Sequence, residues 1–308
     1  MKQTSSLLFC LLLALPAVQA RADEVPADTR EANTVYAELI NQGVIVAPGQ
    51  AVKLPEPVIP DGLTAAQQRE RIAAATGRSA SSFILSSSSN PKYTVEAIKN
   101  AEGQQVGTEI HFYFVAFGDL PTITDAGLLG KLVEIEAGDR ALPREIKALT
   151  PEQHADRQLA ETARPGYEDW YYGLTVPVMN LVQLSGIGFA TRTRNEESIL
   201  AAINYLTKFE KDKEFPSVWR PIENKSGIRS VSETRHPYES LGGYLKATQL
   251  ADEKDSVFVE CHFVFSQPSD WFQGRDPLSS KLGIGIRNNV RDFALDLKRA
   301  VLNKRAGN

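Results

Sequence analysis

The chain has little cysteine and no long apolar run. Its 308 residues include two cysteines, Cys10 and Cys261, too few for a disulfide scaffold to hold the fold together. The apolar run at residues 7–15 is well short of the roughly 20 residues that cross a bilayer. These shortages exclude a disulfide-rich mini-protein and argue against a membrane-spanning helix.

Catalytic and nucleotide-binding motifs are also missing. The sequence has no Gly-x-Ser-x-Gly, the motif of the α/β-hydrolase nucleophile elbow. Ser185–Gly188 and Leu282–Gly285 lack the third glycine and the strand–turn–helix setting of a dinucleotide site, so we interpret their glycines as sites of backbone packing. His154 and His236 lie in polar segments without a partner motif. We therefore expect no cofactor and favour a protein without enzymatic activity.

The composition is that of an ordinary globular protein. Hydrophobic residues make up 42% of the chain and charged residues 23%, and the length suffices for a large buried core. The formal net charge of −4 gives no electrostatic reason to expect nucleic acid or an anionic membrane as a partner.

The first twenty residues have the pattern of a secretory signal peptide. Lys2 precedes the apolar run, and the small-residue ending Val18-Gln19-Ala20 follows it, which predicts cleavage after Ala20. The mature chain would be secreted or periplasmic, with no transmembrane segment. Cleavage would remove Cys10, and a single cysteine fits a bacterial envelope protein. Cys261 alternates with apolar residues and is predicted to be a buried, inert thiol.

Residues 21–80 are predicted to contain helices and a proline-rich connector. Asp28 is a candidate cap for a helix that Gly43 ends, with an apolar stripe formed by Ala32, Val35, Tyr36, Leu39 and Ile40. The proline-rich residues 44–62 are predicted to run extended over another surface. Thr64 and Gln67 form a capping box for a second helix, which Gly77 ends.

Residues 81–308 are predicted to form an α+β domain. Strand chemistry begins at Phe83, and two hairpins are expected, at residues 93–117 and 244–265. Residues 171–193 are rich in β-formers, with Pro177 indicating an edge strand or a break. Residues 198–209 fit either a helix or a strand.

The C-terminus has the pattern of a long amphipathic helix. Asp276 and Pro277 suit its first positions, and its apolar stripe contains Leu282, Ile286, Val290, Phe293, Leu297 and Val301. We expect this helix to pack on an antiparallel sheet of hairpins. Over roughly the last 140 residues this order of elements resembles the helix-grip arrangement of START-like lipid-binding proteins, and the resemblance implies a lipid ligand.

Both hairpins carry the pattern E-x-H-F-x-F, at Glu109–Phe114 and at Glu260–Phe265, which suggests a faint internal duplication. Strand alternation places Glu109 with His111, and Glu260 with His262, opposite the aromatic residues. If the two strands lie side by side, these four side chains are a ligand set suited to zinc. The alternative, which we favour, is a solvated face on which each glutamate screens a histidine.

Aromatic and arginine residues provide the remaining candidates for a ligand or partner site. Trp271 and Phe272 lie in a predicted loop, where such side chains bind a ligand or partner, or plug the end of a core. Trp170 and Tyr172 belong to a second aromatic cluster. A further pair, Arg192 and Arg194, is expected to meet an anionic group or to lie on a solvated strand.

Three functions remain open on the sequence alone. The leading hypothesis is a secreted or periplasmic protein that encloses a hydrophobic small molecule or lipid. The second is a non-enzymatic structural or adaptor module of the envelope, which would expose a patch around Trp271 and Phe272. The third is a metal-dependent hydrolase centred on Glu260 and His262, which would require a cleft with perturbed titrating groups.

Overall fold

A computed structural model describes residues 28–86, 90–124, 142, 145–160, 168–178, 181–225, 228–268, 271, 288, 291–303 and 306. The predicted signal peptide and the predicted start of the C-terminal helix at Asp276 lie outside these residues. Within the described part, no helix is both long and apolar enough to cross a membrane.

The described chain is mostly antiparallel sheet. Eleven of its strands form one sheet: β3 (Lys92–Lys99), β4 (Gln105–Phe117), β5 (Glu145–Ala148), β6 (Glu168–Val178), β7 (Val182–Arg194), β8 (Ser198–Leu206), β9 (Val218–Lys225), β10 (Ile228–Val231), β11 (His236–Pro237), β12 (Leu241–Leu250) and β13 (Glu253–Ser266). A separate small hairpin pairs β1 (Val44–Ala47) with β2 (Gln50–Val52).

Short helices accompany the sheet: α1 (Thr34–Asn41), α2 (Ala65–Thr76), α3 (Ala80–Ser86), α4 (Leu120–Ile123) and α5 (Pro151–Asp156). Residues 291–303 form the described part of a C-terminal helix, α6. The architecture is therefore broadly α+β, as predicted, although the sheet dominates. The finer helix-grip and duplication hypotheses stay predictions.

The middle of the sheet runs in the order β3, β4, β13, β12, β8 and β7. One edge of β7 pairs with β6, which in turn pairs with β5; the other edge pairs with β8 and, nearer the start of β7, with β9. This order brings the two E-x-H-F-x-F strands, β4 and β13, next to each other.

One face of the sheet packs against α6 and is apolar. Alternation along the strands places Phe112, Phe114 and Phe263 on this face, in the same core cluster as Leu297 and Val301 of α6. The rings of Phe114 and Phe293 meet edge to face at 6.4 Å. We call this surface the helix face.

The opposite face is covered by the N-terminal residues. Leu39 and Val44 pack on strand residues including Tyr244, and Ile72 and Phe83 pack near Phe258. Residues 55–62 cross the sheet between these two apolar clusters. We call this segment the strap. We call the covered surface the strap face. The strap lies over another surface, as the composition of residues 44–62 predicts. The same composition also predicts no regular element there, which is wrong for residues 44–52: they form the β1–β2 hairpin, with Pro48 in its turn.

Several elements match their predicted positions. The Thr64 capping box begins α2, and Gly77 ends it with φ +67°. Both predicted hairpins form, as β3–β4 and β12–β13. The ambiguous residues 198–206 are a strand. Strands β6 and β7 pair with each other. Pro177 does not break β6 and lies opposite Gln183 of β7.

Two local predictions are wrong. Phe83 lies in helix α3 rather than in a strand, because Ser79 begins the helix: its hydroxyl accepts from the amide of Ser82 and its carbonyl from that of Phe83. Helix α1 is capped by Asn33, whose side chain accepts from the amide of Tyr36, whereas Asp28 binds Arg30.

Candidate functional site

The two patterned strands lie side by side, which is the condition under which their polar side chains can meet. In the antiparallel pair β4–β13, His111 lies directly opposite His262. The alternate residues Phe112 and Cys261 belong to the helix face, as predicted. Burial and, to a smaller extent, the charge of Glu260 raise the pKa of the Cys261 thiol, so this cysteine is inert at neutral pH.

The four polar side chains form a continuous row of close polar contacts, which we call the histidine row. The Nδ1 atoms of His111 and His262 are 2.8 Å apart. On the outer side, His111 Nε2 lies 3.1 Å from Glu109 Oε1. On the inner side, His262 Nε2 lies 3.2 Å from Glu260 Oε2. Each ring nitrogen therefore already has a partner within the row.

The solvated-face interpretation is wrong for the inner half of this row. Glu260 and His262 are 0% and 1% exposed, because the strap lies over them. The Glu260 carboxylate accepts from the amides of Val58 and Ile59, at 2.7 and 3.3 Å. Burial lowers the pKa of His262, although the hydrogen bond that its ring makes to the Glu260 carboxylate opposes this shift.

The geometry of the row fits shared protons better than a metal ion. Zinc binds imidazole nitrogens at about 2.0–2.1 Å, so two nitrogens on a tetrahedral ion lie about 3.3 Å apart. The observed 2.8 Å is a hydrogen-bond distance. Across the residues that the structure describes, no group of three or more His, Cys, Asp or Glu side chains is placed to hold a metal. The zinc hypothesis stays a prediction that this geometry does not favour.

A buried ion pair beside the row fastens the same strap, and sequence reasoning missed it. Lys246, directly opposite Glu260 in the sheet, donates to the carbonyl of Ile59 at 2.7 Å and pairs with Asp61. Burial opposes ionisation of Asp61, but the charge of Lys246 and hydrogen bonds outweigh it and lower the pKa to about 2. Strand alternation shows which residues share a face; it does not reveal that a distant segment covers that face.

The helix face contains two of the predicted binding residues, Trp170 and Tyr172. Both lie on β6, two positions apart, and are 4% and 0% exposed within the apolar cluster. Among the described residues, neither Trp170 Nε1 nor Tyr172 Oη has a hydrogen-bond partner. Burial raises the pKa of Tyr172, so its hydroxyl remains a donor.

The two predicted arginines have different environments. Arg192 forms a largely buried ion pair with Glu168, directly opposite on β6, and its guanidinium carbon lies 6.0 Å from the centre of the Trp170 ring. Its anionic partner is thus within the chain. Arg194 is exposed. Of the predicted residues, the structure therefore brings together Trp170, Tyr172 and Arg192.

Trp271 packs in the core rather than forming an exposed patch. It is 5% exposed, and its ring stacks on those of Tyr238 at 5.6 Å and Phe265 at 6.2 Å. This arrangement matches the core-plugging alternative. Phe272 lies outside the described residues.

The glycines of Ser185–Gly188 serve backbone packing, as predicted. A Cβ atom on Gly186 would lie 2.2 Å from the Tyr205 ring, and one on Gly188 would lie 2.2 Å from the Tyr172 ring. Because glycine has no side chain, these two positions leave room for the aromatic rings that lie over the strand. Leu282–Gly285 lies outside the described residues.

Comparisons with known proteins identify no family. No protein-family model matches the chain, and no curated protein matches it. A solved structure of an uncharacterised protein from Rhizobium leguminosarum is similar at 12% identity, covering 68% of this chain and 99% of that one, with a TM-score of 0.25. A similarity at this level supports no argument about function.

Proposed function

We propose that this chain is a secreted or periplasmic binding protein for a largely apolar small molecule or lipid, held on the helix face beside β6. The observation that carries the proposal is the pair of buried donors, Trp170 Nε1 and Tyr172 Oη, without a hydrogen-bond partner in the described chain. A ligand that offers an acceptor oxygen would satisfy both.

The energetic argument is that unpaired buried donors are costly. Leaving a buried polar group without a partner costs about 1–3 kcal/mol, and native proteins pair nearly all such groups. Two adjacent exceptions on one strand face therefore favour an external partner. The indole can only donate, so the matching ligand group is an acceptor.

The order of residues along β6 also favours an amphipathic ligand. Glu168 and Arg192 form the polar end of this strand face, Trp170 and Tyr172 follow, and the face then becomes wholly apolar at Leu174 and Val176. A ligand of matching polarity would place its acceptor head near Trp170 and its apolar body along the later residues.

The alternative functions have less support. An adaptor that uses an exposed aromatic patch does not fit the buried position of Trp271. A metal-dependent hydrolase at Glu260 and His262 does not fit a row whose ring nitrogens already have partners. The binding hypothesis is supported by two neighbouring side chains, those of Trp170 and Tyr172.

The first test is native mass spectrometry of the full-length gene product, purified gently from its own envelope and compared with its denatured mass. We expect added mass that denaturation removes, at a value typical of a lipid or another apolar molecule. A bare monomer at the calculated mass contradicts the proposal.

Two tyrosine variants give the matched test of the site. Tyr172→Phe removes the hydroxyl that has no partner in the described chain. We therefore expect the ligand-free protein to keep or gain stability, and a smaller fraction of the protein to carry the added ligand mass. Tyr205→Phe is the control, because its hydroxyl already donates to the carbonyl of Ser185 at 2.6 Å. That variant should lose about 1 kcal/mol and keep its ligand. Equal ligand occupancy in the two variants contradicts a role for Tyr172.

A further inference from the structure

Two arginines, Arg220 on β9 and Arg235 just before β11, lie near each other at the end of the sheet remote from the histidine row. The antiparallel pair β9–β11 places Trp219 opposite His236 and Val218 opposite Pro237. Arg235 precedes β11 by one residue and Arg220 follows Trp219 on β9, so the two arginines are neighbours across this pair, and the charge of Arg235 acts on Arg220. On the other side of Arg220, Gln183 of β7 is its direct partner.

Neither guanidinium has a carboxylate partner in the part of the chain that the structure describes. Within the described residues, no ion pair joins Arg220 or Arg235 to an acidic side chain, and the Nε atom of Arg220 is buried without a hydrogen bond. Burial and then the charge of Arg235 lower the pKa of Arg220, although an arginine stays charged at neutral pH. Like charges directly opposite each other destabilise a sheet.

We propose that Arg220 and Arg235 form a binding site for an oxyanion, a phosphate-type group whose oxygens bridge the two guanidiniums. The planar guanidinium presents several N–H donors that match the geometry of such a group. A bound anion turns the repulsion between the two charges into attraction and gives Arg220 Nε an acceptor. The amide of Gln183, in the same row of the sheet, adds a neutral donor.

The site is independent of the ligand proposed for the helix face. Arg220 alternates with Trp219, which belongs to the helix-face cluster, so the arginine lies on the other side of the sheet. A free phosphate and the headgroup of an anionic lipid both present this group to the arginines.

The test measures thermal unfolding of the full chain against inorganic phosphate, and co-sedimentation with vesicles of phosphatidylglycerol or, as control, phosphatidylcholine. We expect a saturable rise in Tm with phosphate, or sedimentation with phosphatidylglycerol vesicles alone. Arg220→Gln and Arg235→Gln should each weaken the response by about tenfold or more. Without phosphate, each should unfold at the wild-type Tm or above it, because the repulsion is gone.

The control variant is Arg71→Gln, which removes the charge of an exposed arginine on α2. It should keep the full response. A Tm rise with phosphate alone identifies a free anion as the ligand, and sedimentation alone identifies a headgroup. No response in either assay, or an equal loss in Arg71→Gln, overturns the proposal.

Discussion

The helix face and the strap face of the sheet are both buried, but different chemistry holds their covers in place. On the helix face, α6 packs through Phe293, Leu297 and Val301 in an apolar cluster. On the strap face, Glu260 and Lys246 bind the backbone of residues 58–59. Apolar packing does not depend on the exact orientation of the groups in contact, whereas these hydrogen bonds fix the strap in one position. The comparison teaches that a covered sheet face can hold buried charged groups when each of them has a partner.

The sharpest way to break this comparison is to remove one charge from the strap face. Lys246→Met leaves the Asp61 carboxylate buried without its cation, and we expect a loss of about 4 kcal/mol in the free energy of unfolding. Urea denaturation measures it. The control is Lys254→Met, an exposed lysine, which should change stability by less than about 0.5 kcal/mol. Similar losses in the two variants would mean that the ion pair does not hold the strap.

A second variant tests the apolar cover. Leu297→Ala in α6 removes a side chain that is 1% exposed, and we expect a loss of about 3 kcal/mol from burial and cavity terms. Leu302→Ala, at a position 46% exposed on the same helix, is the matched control and should cost much less. If both changes have the same small effect in urea denaturation, α6 does not pack on the sheet as described.

Acidification should separate the two covers, because the strap is held through an ionised carboxylate, that of Asp61, whereas α6 packs through apolar side chains. The pKa of Asp61 falls from 3.8 to about 2 on folding. Its contribution, about 2 kcal/mol, is therefore fully present above the unfolded pKa and is lost as the pH falls through the folded value. Urea denaturation between about pH 5 and about pH 2 should show this loss in the wild type. Asp61→Asn should lack that component, and parallel pH profiles would contradict it.

Local chemistry explains what the sequence could predict. Turn residues and period-two alternation located both E-x-H-F-x-F hairpins, and the same alternation separated His111 from Phe112 correctly. A capping box and a glycine located both ends of α2. Each of these signals depends on residues within a few positions of one another.

The remaining features depend on contacts between distant segments. Nothing near Glu260 indicates that the amides of Val58 and Ile59 lie against it, so its face was predicted to be solvated. The aromatic cluster at Trp170 was a candidate from residue type alone. The burial of its indole N–H, without a partner among the described residues, depends on the whole sheet that packs around it.

The strap has a consequence for the order in which the chain folds. Its amides bind a carboxylate that lies 201 and 202 residues further along the chain. A ribosome has therefore made most of the protein before the carboxylate that these amides bind has been synthesised. Contacts of such sequence separation slow folding, because a long loop must close before they form. We expect folding to be slow and to finish after synthesis of β13, with the N-terminal segment among the last parts to dock.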